Sequence, residues 1–407
     1  MKKSLVLMFA VLALVSLVSG VAAADVTLVM GSWRADDVDA MNELFAAYEA
    51  ASGVKIEFKP TNPTDYNATL RTQLEAGTAP DLMYARSYAT GADLYKNGFF
   101  AKVNDLKGLD TAFSLDYLAP WTADGDVFAV PIQAVNAAVY YNKDIFAELG
   151  LEIPTTFEEL LDVAQKLQDA GYVPFANGIA DNWDVLECLF LGMVPSWIGG
   201  SDVRAQYENG EKPMNDEAWV KAYADLAKLA PFFPKGFESV TYNDSQALFA
   251  TGKAAMFVDG SWNISVYDDA DFDLGFFAIP APAGMETRMQ FHPDAAIAMN
   301  PATKYPEEAR AFLEWLCSQD GTDTLAKYLP AGFFPYTLNK VELGDARAKE
   351  MLALGDGKEN DARFVWPKMI DLYTPMLEAC NGVLKGSLEP QAAADSVQAA
   401  WEALTAK

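Results

Sequence analysis

The chain has 407 residues, 51% of them hydrophobic and 12% aromatic, which excludes a disordered protein and supplies enough apolar surface for packed cores. Its formal charge of −27 excludes a binder of nucleic acid or anionic lipid, because phosphates need clustered Lys and Arg and none are clustered here. Three widely spaced cysteines, Cys188, Cys317 and Cys380, form neither a disulfide framework nor a zinc pattern. Buried free thiols are expected, with bridging of one pair the alternative in an oxidising compartment.

The first residues read as an address. Lys2 and Lys3 precede an apolar run from Leu5 to Val18, and Ala22 and Ala24 put small residues before Asp25. A cleaved secretory leader over 1–24 is expected, too short for a lasting membrane span. No cysteine lies near the cleavage point, so a membrane-anchored form is not expected. The remaining 383 residues, with charge −29, suit two compact lobes rather than one.

Val26 to Met30 reads as a strand, and Val38, Met41, Leu44, Phe45 and Tyr48 recur at helical spacing until Gly53. A strand at Val54–Phe58, a helix at 64–77 and a strand at Asp81–Ala85 follow, an alternation that predicts a parallel sheet with helices on its faces. Val127–Ile132 and Ala137–Tyr141 read as two strands joined across Pro131 to Asn136. Thr156 and Glu159 match a capping box for a helix with Phe157, Leu160, Leu161, Ala164 and Leu167 inward. Ala254–Val258, Phe276–Ile279 and Ala295–Met299 are further short apolar runs of strand length. Pro306 opens a helix with Phe312, Leu313 and Leu316 inward, and the chain from about Asp361 reads as mainly helical.

In order along the chain, several segments together resemble the extracellular solute-binding proteins of sugar ABC transporters, the maltose-binding-protein-like group. They are Gly77-Thr-Ala-Pro-Asp-Leu82, the run Ala129-Val-Pro-Ile132, Tyr140-Tyr-Asn-Lys-Asp-Ile-Phe146 and Pro154-Thr-Thr-Phe-Glu-Glu-Leu-Leu161. Phe249 to Trp262, Phe272 to Pro280 and Glu307 to Trp315 complete the series, which spans nearly the whole chain after the leader. Ser32-Trp33-Arg34, Asp36-Asp37 and Arg86 look most like members that handle raffinose-type or other oligosaccharides. The resemblance implies an α/β, two-lobed periplasmic-binding-protein fold (type II-like) with hinge crossovers. Lobe one would take 25–133 plus 276–325 and lobe two 134–275 plus 326–407, with the ligand cleft between them. It further implies a periplasmic, monomeric receptor that closes on a carbohydrate and delivers it to ABC transporter permease subunits.

A sugar offers weakly apolar faces for aromatic rings and hydroxyls for Asp, Asn and Arg, so the candidates are residues of those types on strand-exit loops. Trp33 and Arg34 follow the first strand, and Arg86 and Ser87 follow the third; a cap on the lobe core is the alternative role for Trp33. Gln133 and Asn136 lie at the first crossover, where structural hydrogen bonding is the competing role. Asp259, Ser261 and Trp262 end a strand, with Gly260 permitting a tight turn, and the resemblance makes Trp262 a sugar-stacking ring; Trp183 would be the second plate. His292 and Asp294 precede another strand, and Gly332, Phe333 and Phe334 would close one end of the cleft, with Tyr373 a late contributor.

His292 is the only histidine, so no multi-histidine metal site is expected, and no cofactor motif is present. A glycoside hydrolase would need two carboxylates at a set separation, and nothing singles out a pair among the 57 Asp and Glu; no catalytic residue is expected. The remaining alternative is the same fold holding a phosphorylated polyol or betaine, since Arg34 with Arg86 suits an anion and aromatic plates suit a quaternary ammonium.

Overall fold

The computed structural model describes residues 26–406 apart from residue 182, so the expected leader lies outside the described residues. Ten strands join in one connected sheet. They are β1 (Thr27–Ser32), β2 (Lys55–Pro60), β3 (Leu82–Arg86), β4 (Val130–Asn142), β5 (Val173–Phe175), β6 (Ala254–Gly260), β7 (Leu274–Phe277), β8 (Met289–Met299), β9 (Phe334–Pro335) and β10 (Asn360–Asp361). The order is β2-β1-β3-β8-β4-β6-β5, with β7 and β9 also on β4 and β10 on β8. The early strands and helices stand as their periodicity predicts. Helix Val38–Ser52 buries Met41, Leu44, Phe45 and Tyr48 and stops at Gly53 in the left-handed region.

Two large cores flank this sheet. The first gathers Leu28, Met30, Phe45, Leu82, Met83, Phe312 and Leu313. The second gathers Phe157, Leu160, Phe190, Trp219, Tyr223, Met376 and Val397. A smaller cluster of Tyr140, Phe249, Phe257, Tyr267 and Phe276 covers the far face of β6 and β7. Cys188, Cys317 and Cys380 are all free and buried, as their apolar contexts predict.

Four expectations need correction. The two strands expected around Pro131–Asn136 are one 13-residue strand, β4. Within it Gln133 and Asn136, at the crossover as expected, are buried and hydrogen-bonded inside the sheet, the structural role weighed against ligand binding for them. Residues after Asp361 are not helical at once: β10 leads into turns before helix Tyr373–Leu384. Finally, the return to the first lobe was expected at Phe276, but β7 pairs with the far half of β4 and Phe277 and Ile279 pack in the second core. That passage falls within β8, whose Ala295 and Ile297 lie in the first core. The last passage, expected after Leu325, follows Asn339, whose amide still bonds the carbonyls of Cys317 and Ser318. An apolar run shows that a strand exists, whereas its sheet is decided by partners far away in sequence.

The capping box forms: Thr156 Oγ1 accepts from Glu159 N–H at 3.2 Å, and the Glu159 carboxylate accepts from Thr156 N–H at 3.3 Å and Thr155 N–H at 2.7 Å. Thr156→Ala should therefore lower unfolding stability by about 1 kcal/mol in urea titration. No change there would mean that the helix Phe157–Asp169 is held by its buried face alone.

Candidate functional site

β1 and β3 deliver the first set of side chains at their carboxyl ends. Trp33 is only 4% exposed, its edges against Tyr66 and Tyr84 with ring centroids 5.5 and 5.2 Å away. The Arg86 guanidinium covers its face, 3.9 Å from the centroid. Trp33 is thus a platform for Arg86 rather than an open plate. Arg34 forks onto Asp37, Nε to Oδ2 at 2.6 Å and Nη2 to Oδ1 at 2.8 Å, and lies 4.9 Å from the Phe333 ring. Burial pushes the Arg86 guanidinium down from its ordinary value, opposed by the charges of Asp294 and Glu187.

β6 delivers the second set. A Cβ at Gly260 would stand 2.1 Å from the Trp262 ring, so the residue must be glycine for the indole to fold back over the strand end. Trp262 Nε1–H donates to Tyr242 Oη at 2.8 Å, and Tyr242 O–H donates to Asp259 at 3.0 Å. Asn263 Nδ2 donates to the same Tyr242 oxygen at 2.6 Å. Trp183 lies 4.5 Å from Tyr242 and 6.1 Å from Trp262 between ring centroids. Trp183, Tyr242 and Trp262 are each partly exposed, so this aromatic cluster has an open side.

Between the two sets lies the crossover. The ladder of β4 and β8 shifts register at Asp294, and a bulge of this kind re-aims the side chain, here to accept from Gln133 Nε2 at 3.0 Å. His292 Nε2 is 3.4 Å from Ser87 Oγ, and its ring is 5.3 Å from Trp366. Burial, with the positive charges of Arg363 and Arg86, pushes His292 well below its ordinary value, so the ring is neutral at neutral pH. Ser261 and Asn136 serve the hinge: Asn136 N–H donates to Ser261 Oγ at 3.2 Å, and Ser261 donates to Gly332 O at 2.5 Å. Phe333 and Phe334 face opposite ways, as strand alternation requires, Phe333 into the first core and Phe334 into the small cluster. Tyr242 of the aromatic cluster packs against the same small cluster as Phe334.

Arg363, Trp366, Glu187 and Tyr242 escaped the sequence reading, whereas Tyr373 was among its candidates. β10 lies parallel to the start of β8, pairing Gln290 with Asp361, and feeds Arg363 and Trp366 to the crossover. Arg363 Nη1 meets Glu187 Oε2 at 2.6 Å, its guanidinium carbon is 5.5 Å from the Trp262 ring, and Tyr373 O–H donates to Glu187 Oε1 at 2.7 Å. The signal available was the run Arg363-Phe-Val-Trp366 straight after a glycine-rich turn, the same residue types that marked Trp33 and Arg34. Among the described residues no group of three His, Cys, Asp or Glu is placed to hold a metal ion. No described helix is long and apolar enough to cross a membrane.

Asp259 sits wholly buried beneath the aromatic cluster, and burial pushes its carboxyl up to about 7 against the donors from Gly260, Tyr242 and Asn263. The folded value exceeds the unfolded one, so the folded state holds the proton more tightly. This contribution is complete below about pH 4 and is lost as pH rises towards about 7. Asp184, also pushed up by burial and by the charge of Asp259, acts in the same direction. Thermal unfolding of Asp259→Asn should accordingly decline less than wild type between these two pH values. Equal slopes would place the titration elsewhere.

With this geometry in view, the chain can be set beside known proteins. The profile of the family described as bacterial extracellular solute-binding protein matches residues 32–323. The multiple sugar-binding protein of Streptococcus mutans is 26% identical over 279 residues, 64% of this chain and 64% of that protein, so the match spans just under two thirds of that relative. The diacetylchitobiose binding protein DasA of Streptomyces coelicolor is 27% identical over 383 residues, 89% of this chain and 84% of that protein. Among solved structures, the bacterial solute receptor AcbH, with a reported exclusive preference for β-D-galactopyranose, superposes with a TM-score of 0.81 at 19% identity, covering 94% of this chain and 100% of that one. The fold is thus the α/β, two-lobed one that the ordered segments implied. The chain belongs to the bacterial extracellular solute-binding protein family.

Proposed function

We propose that this protein is the extracytoplasmic receptor of an ABC importer, a non-enzymatic, monomeric protein that holds a carbohydrate in the cleft between its two lobes. The observation that carries the reading is the tethered aromatic cluster. Trp262 is fixed through Tyr242 to the buried Asp259, Trp183 stands beside it, and the Arg363 guanidinium approaches its ring from the crossover. A pyranose needs such a combination: flat rings for its C–H faces and directional polar groups for its hydroxyls. The names of the relatives, which bind multiple sugars and diacetylchitobiose, support the same class of ligand.

Mechanism follows from the division of labour. Trp33, Arg34 and Arg86 belong to the first lobe, while Trp183, Tyr242 and Trp262 belong to the second. A ligand that touches both sets gains contacts only when the lobes approach, so it shifts the population towards the closed form. That closed form would be the one recognised by the permease subunits, after which reopening releases the sugar. Asp259 and Tyr242 are positioning residues here, because they hold the indole rather than meet the ligand.

Two outcomes are expected. Thermal-shift screening against neutral and charged oligosaccharides should raise the melting temperature with at least one of them, and Trp262→Ala should weaken that binding at least about 100-fold by calorimetry. A large loss of stability in that variant with unchanged affinity would make Trp262 a core residue. Small-angle scattering should show a smaller radius of gyration at saturating sugar. An unchanged radius would defeat closure.

A further inference from the structure

The crossover holds a set of buried nitrogen donors that the protein itself leaves without acceptors. Arg86 Nε, Arg363 Nε, Trp366 Nε1 and His292 Nδ1 are each shielded from solvent and have no hydrogen-bond partner among the described residues. Buried polar groups are nearly always bonded, so four together mark a place shaped for something else. Their convergence follows from the sheet. β8 carries His292 and pairs with β3 at Ala295 opposite Arg86. It also pairs with β10, which leads into Arg363 and Trp366. The Trp366 and His292 rings are 5.3 Å apart, and the charges of Arg86 and Arg363 both act on His292.

The chemistry of the set is one-sided. Guanidinium and indole N–H groups only donate, and the neutral imidazole donates from Nδ1 when Nε2 accepts from Ser87 Oγ, 3.4 Å away. Charge points the same way. Arg34 is neutralised by Asp37 and Arg363 by Glu187. Arg86 forms no ion pair among the described residues; Asp294 and Glu187 act on it from beyond ion-pair distance. Asp294 accepts from the Gln133 amide instead. Arg86 and Arg363 also repel one another. An anion beside Arg86 would supply an acceptor that the protein itself does not and would relieve that repulsion. Two free acceptors, Gln290 Oε1 and Asn136 Oδ1, remain for hydroxyls on the strands that carry this set; the Gln290 amide donates to the Glu187 carbonyl at 2.7 Å.

We infer that the ligand is an acidic saccharide, a sugar bearing a carboxylate, and that Arg86 with Arg363, Trp366 and His292 receives that carboxylate while the Trp183–Trp262 cluster receives a ring. The inference rests on the carbohydrate reading above and narrows it.

Calorimetry on the full chain with matched pairs tests it: α-1,4-digalacturonate against α-1,4-galactobiose, and cellobiouronate against cellobiose, with acetate and phosphate as simple anions. The acidic member of a pair should bind at least about tenfold more tightly than its neutral partner, and its affinity should fall as sodium chloride is raised, while that of the neutral sugar does not. Arg86→Gln should abolish the preference, and Arg86→Lys, which keeps the charge but loses the fork, should retain part of it. The salt dependence of the native protein needs no variant and stands even if Arg86→Gln fails to fold. Neutral sugars binding as tightly as acidic ones, or a preference that survives in Arg86→Gln, would overturn the inference and leave the carbohydrate receptor intact. Binding of simple anions alone, or of no saccharide of either kind, would remove both.

Discussion

The pairing of β4 with β8 is the constraint from which the rest of the molecule follows. Their antiparallel ladder joins Val130 to Ile297 in the first core and Asn136 to Phe291 at the crossover. β4 then continues into the second core, pairing Ala137–Tyr141 with β6 and Val139–Asn142 with β7. Two strands are therefore common to both lobes. Because the passage is buried, several of its polar side chains are bonded within it. Asp294 sits at the bulge and takes the Gln133 amide, and Asn136 donates to the Met351 carbonyl. Gly332 closes the same region at φ +94°, where a Cβ would stand 1.7 Å from Ser261 O. Only glycine fits a left-handed backbone pressed that closely on a neighbouring carbonyl.

That hinge places two chemically different surfaces opposite one another. On one side the indole of Trp262 is anchored through Tyr242 to Asp259, whose buried carboxyl keeps its proton to about pH 7. The carboxyl costs little in this form and fixes a ring that is otherwise free to rotate. On the other side Arg34 is paired with Asp37 and Arg86 is laid on the face of Trp33, while Arg363, paired with Glu187, lies beside the Trp262 ring. A cation stacked on an indole is stabilised by the ring while its edge donors stay available. The division explains why an aromatic loop residue ended in the core: Trp33 serves by holding a neighbour.

Much of the secondary structure was readable because its causes are local. The capping pair Thr156 and Glu159, the stop at Gly53 and Pro306 at a helix start act within a few residues. The placement of Trp262 was readable for a similar reason, since a strand end, a glycine and an aromatic stand side by side. Arg363 and Trp366 were not, because their place depends on β10 lying against Met289 and Gln290, some seventy residues earlier in the chain. The directions of Phe333 and Phe334 were not readable either. The two are adjacent in sequence, but strand alternation sends their rings to different cores.

By itself, the sequence determined the α/β alternation, the caps, the buried free thiols and, through its ordered segments, the family. Those depend on hydrophobic period and on turn and cap chemistry, which neighbouring residues settle among themselves. Only the tertiary structure decided where the chain passes between lobes, which polar residues serve the hinge, and which donors are left without an acceptor. Each of these turns on strands far apart in sequence sharing one ladder, and on burial, which makes an unmet hydrogen bond count.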